Sequence, residues 1–155
     1  DLSITQNMLI HTLTSLFERD LNRVITELEL YRTEQNIWRT EKNITNSAGN
    51  LALHLVGNLN TYIAREIGGT AYVRNRELEF SIKNMPRAAP IEKLNDTIEV
   101  IKSSLPLLAA QDMDKTYPIL VLSETTSYEY FLVHLLSHLN YHLGQINYHR
   151  RLIEE

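Results

Sequence analysis

The chain has 155 residues, of which 43% are hydrophobic and 22% are charged, values typical of one globular domain rather than of a disordered or membrane-spanning chain. Its formal net charge of -4 at pH 7 disfavours a nucleic-acid-binding surface, which is usually basic. The sequence contains no cysteine, which excludes disulfides and thiolate ligands and favours a reducing compartment. We therefore expect a cytoplasmic protein without a nucleic-acid partner.

The apolar runs of the sequence are short and are interrupted by polar residues. None approaches the ~20 residues that a membrane-spanning helix needs, so we expect no membrane partner. The first twenty residues lack the basic start and apolar block of a signal peptide. The sequence begins at Asp1 without an initiator Met, which leaves the natural N-terminus open.

The first predicted helix runs from Ile4 to about Tyr31. Its apolar positions fall on one side of a helical wheel, whereas His11 lies nearly opposite them and is predicted to be a surface residue. The segment 34–46 loses this periodicity and is predicted to be a connection in which Trp38 covers one end of the core. The apolar positions of the helix are Leu13, Leu16, Phe17, Val24 and Leu28.

The second predicted helix begins after a capping pair, Asn46-Ser47, and continues to Glu66, before the pair 68–69 of glycines stops it. Five of its residues share the inward face, so two polar side chains, His54 and Asn58, need buried partners. These five residues are Leu51, His54, Leu55, Asn58 and Tyr62.

The stretch 69–90 shows no helical stripe and is long for a turn between adjacent helices, so we predict a crossover connection. Pro90 suits the first turn of a third helix, and Pro106 should loosen its last turn. The predicted buried stripe of this helix consists of Ile91, Leu94, Ile98, Ile101, Leu105 and Leu108.

A second long connection covers residues 112–124 and contains a β-branched and apolar run, Ile119 to Leu122, which predicts a short extended segment near 117–122. Thr126 and Glu129 match a capping box that would start the fourth helix. Two long connections among four helices predict an all-α, four-helix bundle with two crossovers. We expect residues 1–155 to form this single domain.

The fourth predicted helix carries four histidines on one face. At roughly 100° per residue, His134, His138, His142 and His149 lie within an arc of about 80°, which also includes Gln145. At about 1.5 Å per residue, however, the outer members of this stripe are about 10–12 Å apart, too far to share an ion with Zn–N bonds near 2 Å. Spacing alone leaves two candidate pairs open, His134 with His138 or His138 with His142.

The segment His138-Leu-Asn-Tyr-His142-Leu-Gly-Gln145 resembles the last-helix signature of the DinB/YfiT-like superfamily, and the segment around His54 resembles its second-helix counterpart. The resemblance covers nearly the whole chain and implies a four-helix bundle in which His54, His138 and His142 bind one metal ion. One departure is visible. Leu143 stands where the family often has Arg, so a substrate-binding role of that Arg is not carried over.

Three imidazoles would leave coordination positions open to water or substrate, which favours catalysis over structure. We expect one divalent ion per chain, zinc or nickel. The resemblance implies a metal-dependent hydrolase or a small-molecule thiol transferase. The alternative is a non-catalytic helical interaction or stress-response scaffold with a vestigial or structural metal site. A secreted cytokine-like bundle is disfavoured by the lack of cysteines.

Several residues near the triad are expected to support or line its pocket. Asn58 and Gln145 lie about one turn from His54 and His142 and are predicted to hydrogen-bond a ligand histidine or a bound water, with helix–helix hydrogen bonds as the alternative. His134, Tyr62 and Tyr141 could line the pocket, although the tyrosines also fit the core.

The remaining members of the stripe have other expected roles. His149 is predicted to pair with a buried tyrosine or to make a contact near the end of the bundle. No general base can be assigned, and the absence of Glu-x-x-His pairs argues against a di-iron bundle. The apolar run Ile119 to Leu122 leaves room for the homodimer that relatives often form.

Overall fold

Five α-helices pack together in the computed structural model, which describes residues 2–155, with side chains described from residue 8 onward. The helices are α1 (Leu2–Glu29), α2 (Ala48–Leu59), α3 (Arg76–Ser81), α4 (Ala88–Ser104) and α5 (Tyr128–Ile153). A π-helical segment, Asn60–Arg65, extends α2, and short 3-10 segments cover Glu34–Trp38, Leu105–Leu107 and Ala110–Asp112. Over residues 2–155 no strand is formed, so the predicted all-helical class is confirmed.

The hydrophobic core lies between the four longer helices, because α1 and α2 each contact both α4 and α5. Burying each large aliphatic or aromatic side chain of this core contributes roughly 1.5–3 kcal/mol. Within residues 2–155 no helix combines the length and the apolar character needed to cross a bilayer. The fully buried side chains include Phe17, Leu21, Leu28, Leu55, Leu59, Leu94, Ile101 and Phe131.

Most predicted helix ends are confirmed by local hydrogen bonding. The Ser47 hydroxyl accepts a hydrogen bond from the Asn50 backbone N–H at 3.2 Å and caps α2. The extension of α2 ends at Arg65, and the turn that follows reaches Gly69, whose φ of 71° is readily adopted only by glycine. Pro90 lies in the first turn of α4, and the chain around Pro106 is a 3-10 turn rather than α-helix.

The start of the last helix differs from the predicted capping box. Thr126 does not cap α5, because its carbonyl accepts a hydrogen bond from the Tyr117 backbone N–H at 2.8 Å in a short antiparallel pairing of the chain. The helix therefore begins after Ser127, whose hydroxyl accepts from the Tyr130 N–H at 3.1 Å. The segment near 117–122, predicted to be extended, forms no strand, and a single bridge joins Thr116 to Ser127.

The connection between α2 and α4 contains a short helix, α3, that the sequence pattern did not indicate. Asn75 caps it by accepting a hydrogen bond from the Leu78 N–H at 3.2 Å. A helix that packs an apolar face against the core shows an apolar stripe in its sequence. In α3, however, Leu78 is 46% exposed and the buried residue is Glu79. Because a charged residue carries the packing, hydrophobic periodicity gives no sign of this helix.

Candidate metal centre

Three histidine side chains from two helices converge at one point beside the core. His54 comes from α2, and His138 and His142 come from successive turns of α5. The Nε2 atom of His138 lies 3.2 Å from Nε2 of His54 and 3.1 Å from Nε2 of His142. One ligand atom from each of the three rings lies within 4.8 Å of the other two. The three side chains could therefore hold one metal ion.

The spacing of these nitrogens fits a shared ion. Two nitrogens bound at about 2.0–2.1 Å to one ion are about 2.9 Å apart at an octahedral angle and about 3.4 Å apart at a tetrahedral angle. The two separations from His138, 3.1 and 3.2 Å, fall inside that range. His54 is buried, whereas His138 and His142 are half-buried, so the cluster lies at the edge of the core and is not sealed within it.

In two of the three rings, the nitrogen that points away from the cluster is held by a hydrogen bond. The Nδ1 atom of His54 lies 3.1 Å from Oε1 of Glu79, and Nδ1 of His142 lies 2.7 Å from Oε1 of Gln145. Both acceptors are oxygens, so each ring carries its proton on Nδ1 and turns the lone pair of Nε2 toward the cluster. Acceptors of this kind orient metal-binding histidines in proteins. Nδ1 of His138 is buried and has no hydrogen-bond partner among the described residues.

Burial favours the neutral form of two of the three histidines, His138 and His142. Burial lowers the pKa of His138 to about 4, and the neighbouring His142, His54, His134 and Arg74 lower it in the same direction. Burial also lowers the pKa of His142, although its hydrogen bond to Gln145 acts in the opposite sense. Neutral imidazoles offer a free lone pair near pH 7, which is the state that binds a metal.

Glu79 and Arg74 complete the cluster from the connection between α2 and α4, and no pattern in the sequence indicated a role in the site for either of them. Arg74 contacts both oxygens of the Glu79 carboxylate, with Nε–Oε2 at 2.8 Å and Nη2–Oε1 at 3.0 Å. Burial alone would raise the pKa of Glu79, but the hydrogen bonds from His54 and Arg74 and the charge of Arg74 lower it below its usual value. The carboxylate is therefore ionised, although only 6% of Glu79 is exposed.

Gly57 makes room for this carboxylate. A Cβ atom at position 57 would collide with the Glu79 carboxyl group, so a glycine one turn after His54 is a steric requirement of the arrangement. A capping Asn at position 75 was the available sequence signal for α3. No pattern in the sequence indicated that Glu79 would be buried, because a charged residue in a connection ordinarily faces solvent.

The other residues expected around the triad differ in their positions. Gln145 contacts His142, as described above. Asn58 is buried but bonds none of the three histidines, and its Oδ1 has no donor among the described side chains. His134 lies with its ring centroid 6.4 Å from that of His138 and stacks on Phe131.

The two tyrosines of the expected pocket lie farther out. Tyr62 is half-buried, packs edge-to-face against Phe131 at 5.5 Å between ring centroids, and lies under the Arg74 guanidinium. Tyr141 is 66% exposed, and its ring centroid is 5.5 Å from that of His142. The structure thus brings the three histidines and Gln145 together, with Tyr141 beside them and Asn58 without a contact to the cluster.

His149 lies outside the cluster and pairs with a buried tyrosine. The hydroxyl of Tyr31 donates to Nδ1 of His149 at 2.5 Å, and Nε2–H of His149 donates to the carbonyl of Arg39 at 2.7 Å. Burial lowers the pKa of His149, although the hydrogen bond to Arg39 acts to raise it. This neutral histidine links α5 to the segment that follows α1.

A cleft of about 250 Å³ has Gln145 in its lining but none of the three cluster histidines. It shares Gln145 with His142, and it reaches Leu51, which lies about one helical turn before His54. Its rim carries the polar side chains of Asn43, Thr45 and Asn46, and no Lys, Arg, Asp or Glu lines it within the described part of the chain. The cleft therefore suits an uncharged molecule with hydrogen-bonding groups.

Comparison with known proteins identifies the family but not an activity. A comparison with curated protein sequences found no match. A model of a protein family of unknown function, DUF1572, matches residues 22–155, a range that includes the three histidines, Glu79 and Gln145. Because the match covers most of the chain, the protein belongs to the DUF1572 family.

Proposed function

We propose that this protein binds one divalent metal ion through Nε2 of His54, His138 and His142. The observation that carries the proposal is the convergence of three imidazoles, two of them oriented by oxygen acceptors on the opposite ring nitrogen. We further propose that the four longer helices form one DinB/YfiT-like four-helix-bundle domain with two crossovers. The resemblance around the second and last helices supports this assignment.

Zinc and nickel are the proposed metals, because all-imidazole ligation suits both. Such an ion, when bound with open positions, lowers the pKa of a bound water to about 7 or stabilises a bound thiol as thiolate. The chain's own contribution is to supply three imidazole donors and to hold the orientation of two of them through Glu79 and Gln145. These properties support a hydrolase or a thiol transferase acting on a small molecule.

We propose that the cleft beside Gln145 binds the substrate. Two of the three histidines are half-buried rather than sealed, which leaves part of the cluster accessible to solvent. Glu79 is not a candidate general base, because both of its oxygens are engaged by Arg74 and His54 behind the ring. No general base is therefore assigned among the described residues.

Metal content tests the binding half of the proposal. Purified protein reconstituted with zinc should contain about one ion per chain by elemental analysis, and His138→Ala should contain almost none. His134→Ala is the matched control, since that histidine lies on the same helix face but outside the cluster. Wild-type protein that takes up no zinc or nickel after removal of its metals would contradict the proposal.

Cobalt substitution separates a catalytic site from the alternative, a scaffold whose metal site is structural. An open coordination position should let a small thiol such as 2-mercaptoethanol bind the cobalt ion and produce a new sulfur-to-metal absorption band. A cobalt spectrum that does not change on addition of the thiol would favour the scaffold.

We also propose a homodimer that uses the connection between α4 and α5. Leu120 and Val121 are 63% and 38% exposed in this segment, so they are available for a partner. Light scattering should give a dimeric mass for the wild type and a monomeric mass for Leu120→Glu. A monomeric wild type at micromolar concentration would remove this part of the proposal.

Localisation of a tagged full-length protein would test the predicted cytoplasmic compartment.

A further inference from the structure

A buried ion pair lies directly behind one of the three histidines. The Glu79 carboxylate contacts Nδ1 of His54 at 3.1 Å, and Arg74 holds both carboxylate oxygens. Only 6% of Glu79 is exposed. Burying a charged group is costly unless the group is paired and hydrogen-bonded, so this carboxylate requires a specific set of partners to stay where it is.

The chain around Glu79 is built to present the carboxylate to His54. The side-chain amide of Asn50 donates to the backbone carbonyls of Glu79 and Ile82 at 2.9 and 2.8 Å, which fixes α3 against α2. The phenyl ring of Phe80 packs on His54 with 5.1 Å between the ring centroids. Gly57 leaves the space that the carboxylate occupies. Asn50, Phe80 and Gly57 thus each help to place the Glu79 carboxylate beside His54.

The protonation of His54 follows from these contacts. An ionised carboxylate can only accept hydrogen bonds. A bare Nδ1 atom 3.1 Å from Oε1 would set two lone pairs against each other, whereas Nδ1–H makes a charge-assisted hydrogen bond. Arg74 Nη2 also approaches Nδ1, at 3.3 Å, but Oε1 of Glu79 is the nearer of the two atoms to Nδ1.

We infer that Glu79, braced by Arg74, is a positioning residue that holds His54 in the Nδ1–H tautomer and so directs its Nε2 lone pair toward the metal. This inference rests on the proposed metal site. It adds that α3, in the connection between α2 and α4, is part of the metal centre. Residues that orient metal-binding histidines in this way change metal affinity by roughly 10–100-fold when they are replaced.

The test compares three variants of α3. Glu79→Ala removes the acceptor, Glu79→Gln keeps an acceptor oxygen of nearly the same shape without the charge, and Glu77→Gln is the control on an exposed position of the same helix. Zinc affinity is measured by competition with a chromogenic chelator. The tautomer of His54 is read from nitrogen-15 NMR of the imidazole rings in the metal-free proteins, which also shows whether each variant is folded.

We expect zinc affinity to fall roughly 10–100-fold in Glu79→Ala and by less in Glu79→Gln, with no change in Glu77→Gln. We expect the His54 ring to be Nδ1-protonated in the wild type and in Glu79→Gln, and to become a mixture of tautomers in Glu79→Ala. A folded Glu79→Ala with wild-type zinc affinity and an unchanged tautomer would overturn the inference while leaving the metal site intact. A wild type that binds no zinc would instead overturn the proposed function.

Discussion

The Nε2 atoms of His54 and His138 lie 3.2 Å apart, although the two residues are separated by 84 positions in the chain. With Nδ1 of His54 protonated and facing Glu79, at least one of these nitrogens presents a lone pair to the other. A cation between the rings would be attracted by both. The arrangement therefore links the stability of the fold to the occupancy of the site, because the unfolded chain does not bring the two rings together.

Removal of the metal should lower the melting temperature. At a free zinc concentration of one hundred times Kd, binding adds about 2.7 kcal/mol to the free energy of unfolding. In a chain of this size, that change corresponds to a shift of about 5–10 °C. Thermal melts with zinc and with EDTA measure the shift. His142→Ala should melt at the same temperature under both conditions, and an EDTA-independent wild type would contradict the expectation.

The metal-free protein should lose stability as the pH falls from about 6.5 to about 4. Burial lowers the pKa of His138 to about 4 in the folded protein, whereas an unfolded chain has the ordinary value of 6.5. Between these two pH values the unfolded chain therefore binds a proton that the folded protein does not. His149, whose pKa is also lowered, acts in the same direction.

Urea denaturation of the metal-free protein at pH 7 and at pH 4.5 measures this loss. His138→Gln, which cannot titrate, should show a smaller difference between the two pH values. Equal differences in the variant and the wild type would show that His138 does not contribute to the acid sensitivity.

Two helix glycines should respond in opposite ways to alanine. Gly57→Ala would displace the Glu79 carboxylate from its partners and should lower the free energy of unfolding by about 1–3 kcal/mol. Gly144→Ala meets no atom within 4 Å, and it lies inside α5 on an exposed position, where alanine should raise stability by about 0.5–1 kcal/mol. Chemical denaturation of the metal-free variants measures both changes.

Zinc binding distinguishes the two glycine variants further. Gly57→Ala should bind zinc more weakly, since His54 loses the acceptor on its Nδ1 atom, whereas Gly144→Ala should bind as the wild type does. Wild-type stability and affinity in Gly57→Ala would mean that the space beside Glu79 is not required.

Tyr31→Phe should destabilise the fold and leave metal binding unchanged. The substitution removes the hydroxyl that donates to Nδ1 of buried His149 and leaves that nitrogen without its partner. The expected loss in the free energy of unfolding is about 1–3 kcal/mol. Denaturation together with elemental analysis measures both properties. A reduced zinc content in a folded Tyr31→Phe variant would contradict a purely structural role for this pair.

The sequence alone determined the four long helices and most of their ends, because hydrophobic periodicity and capping residues are local. Ser47, Gly69, Pro90 and Pro106 act within a few residues of their own positions, and each has the predicted effect. The start of α5 was the exception, since the carbonyl of Thr126 is engaged by Tyr117 in a pairing that no local pattern records.

The candidate site, like the fold, was predicted from the sequence only in part. The helical stripe of α5 left two candidate pairs, because residues one turn apart on a helix face the same side whatever surrounds them. The family resemblance then implied His54, His138 and His142 as the candidate set. Only the tertiary structure brought Glu79 and Arg74 behind His54. Their burial depends on contacts with Asn50 and Gly57 in a different helix, and a charged residue in a connection carries no local sign that distant groups will compensate its charge.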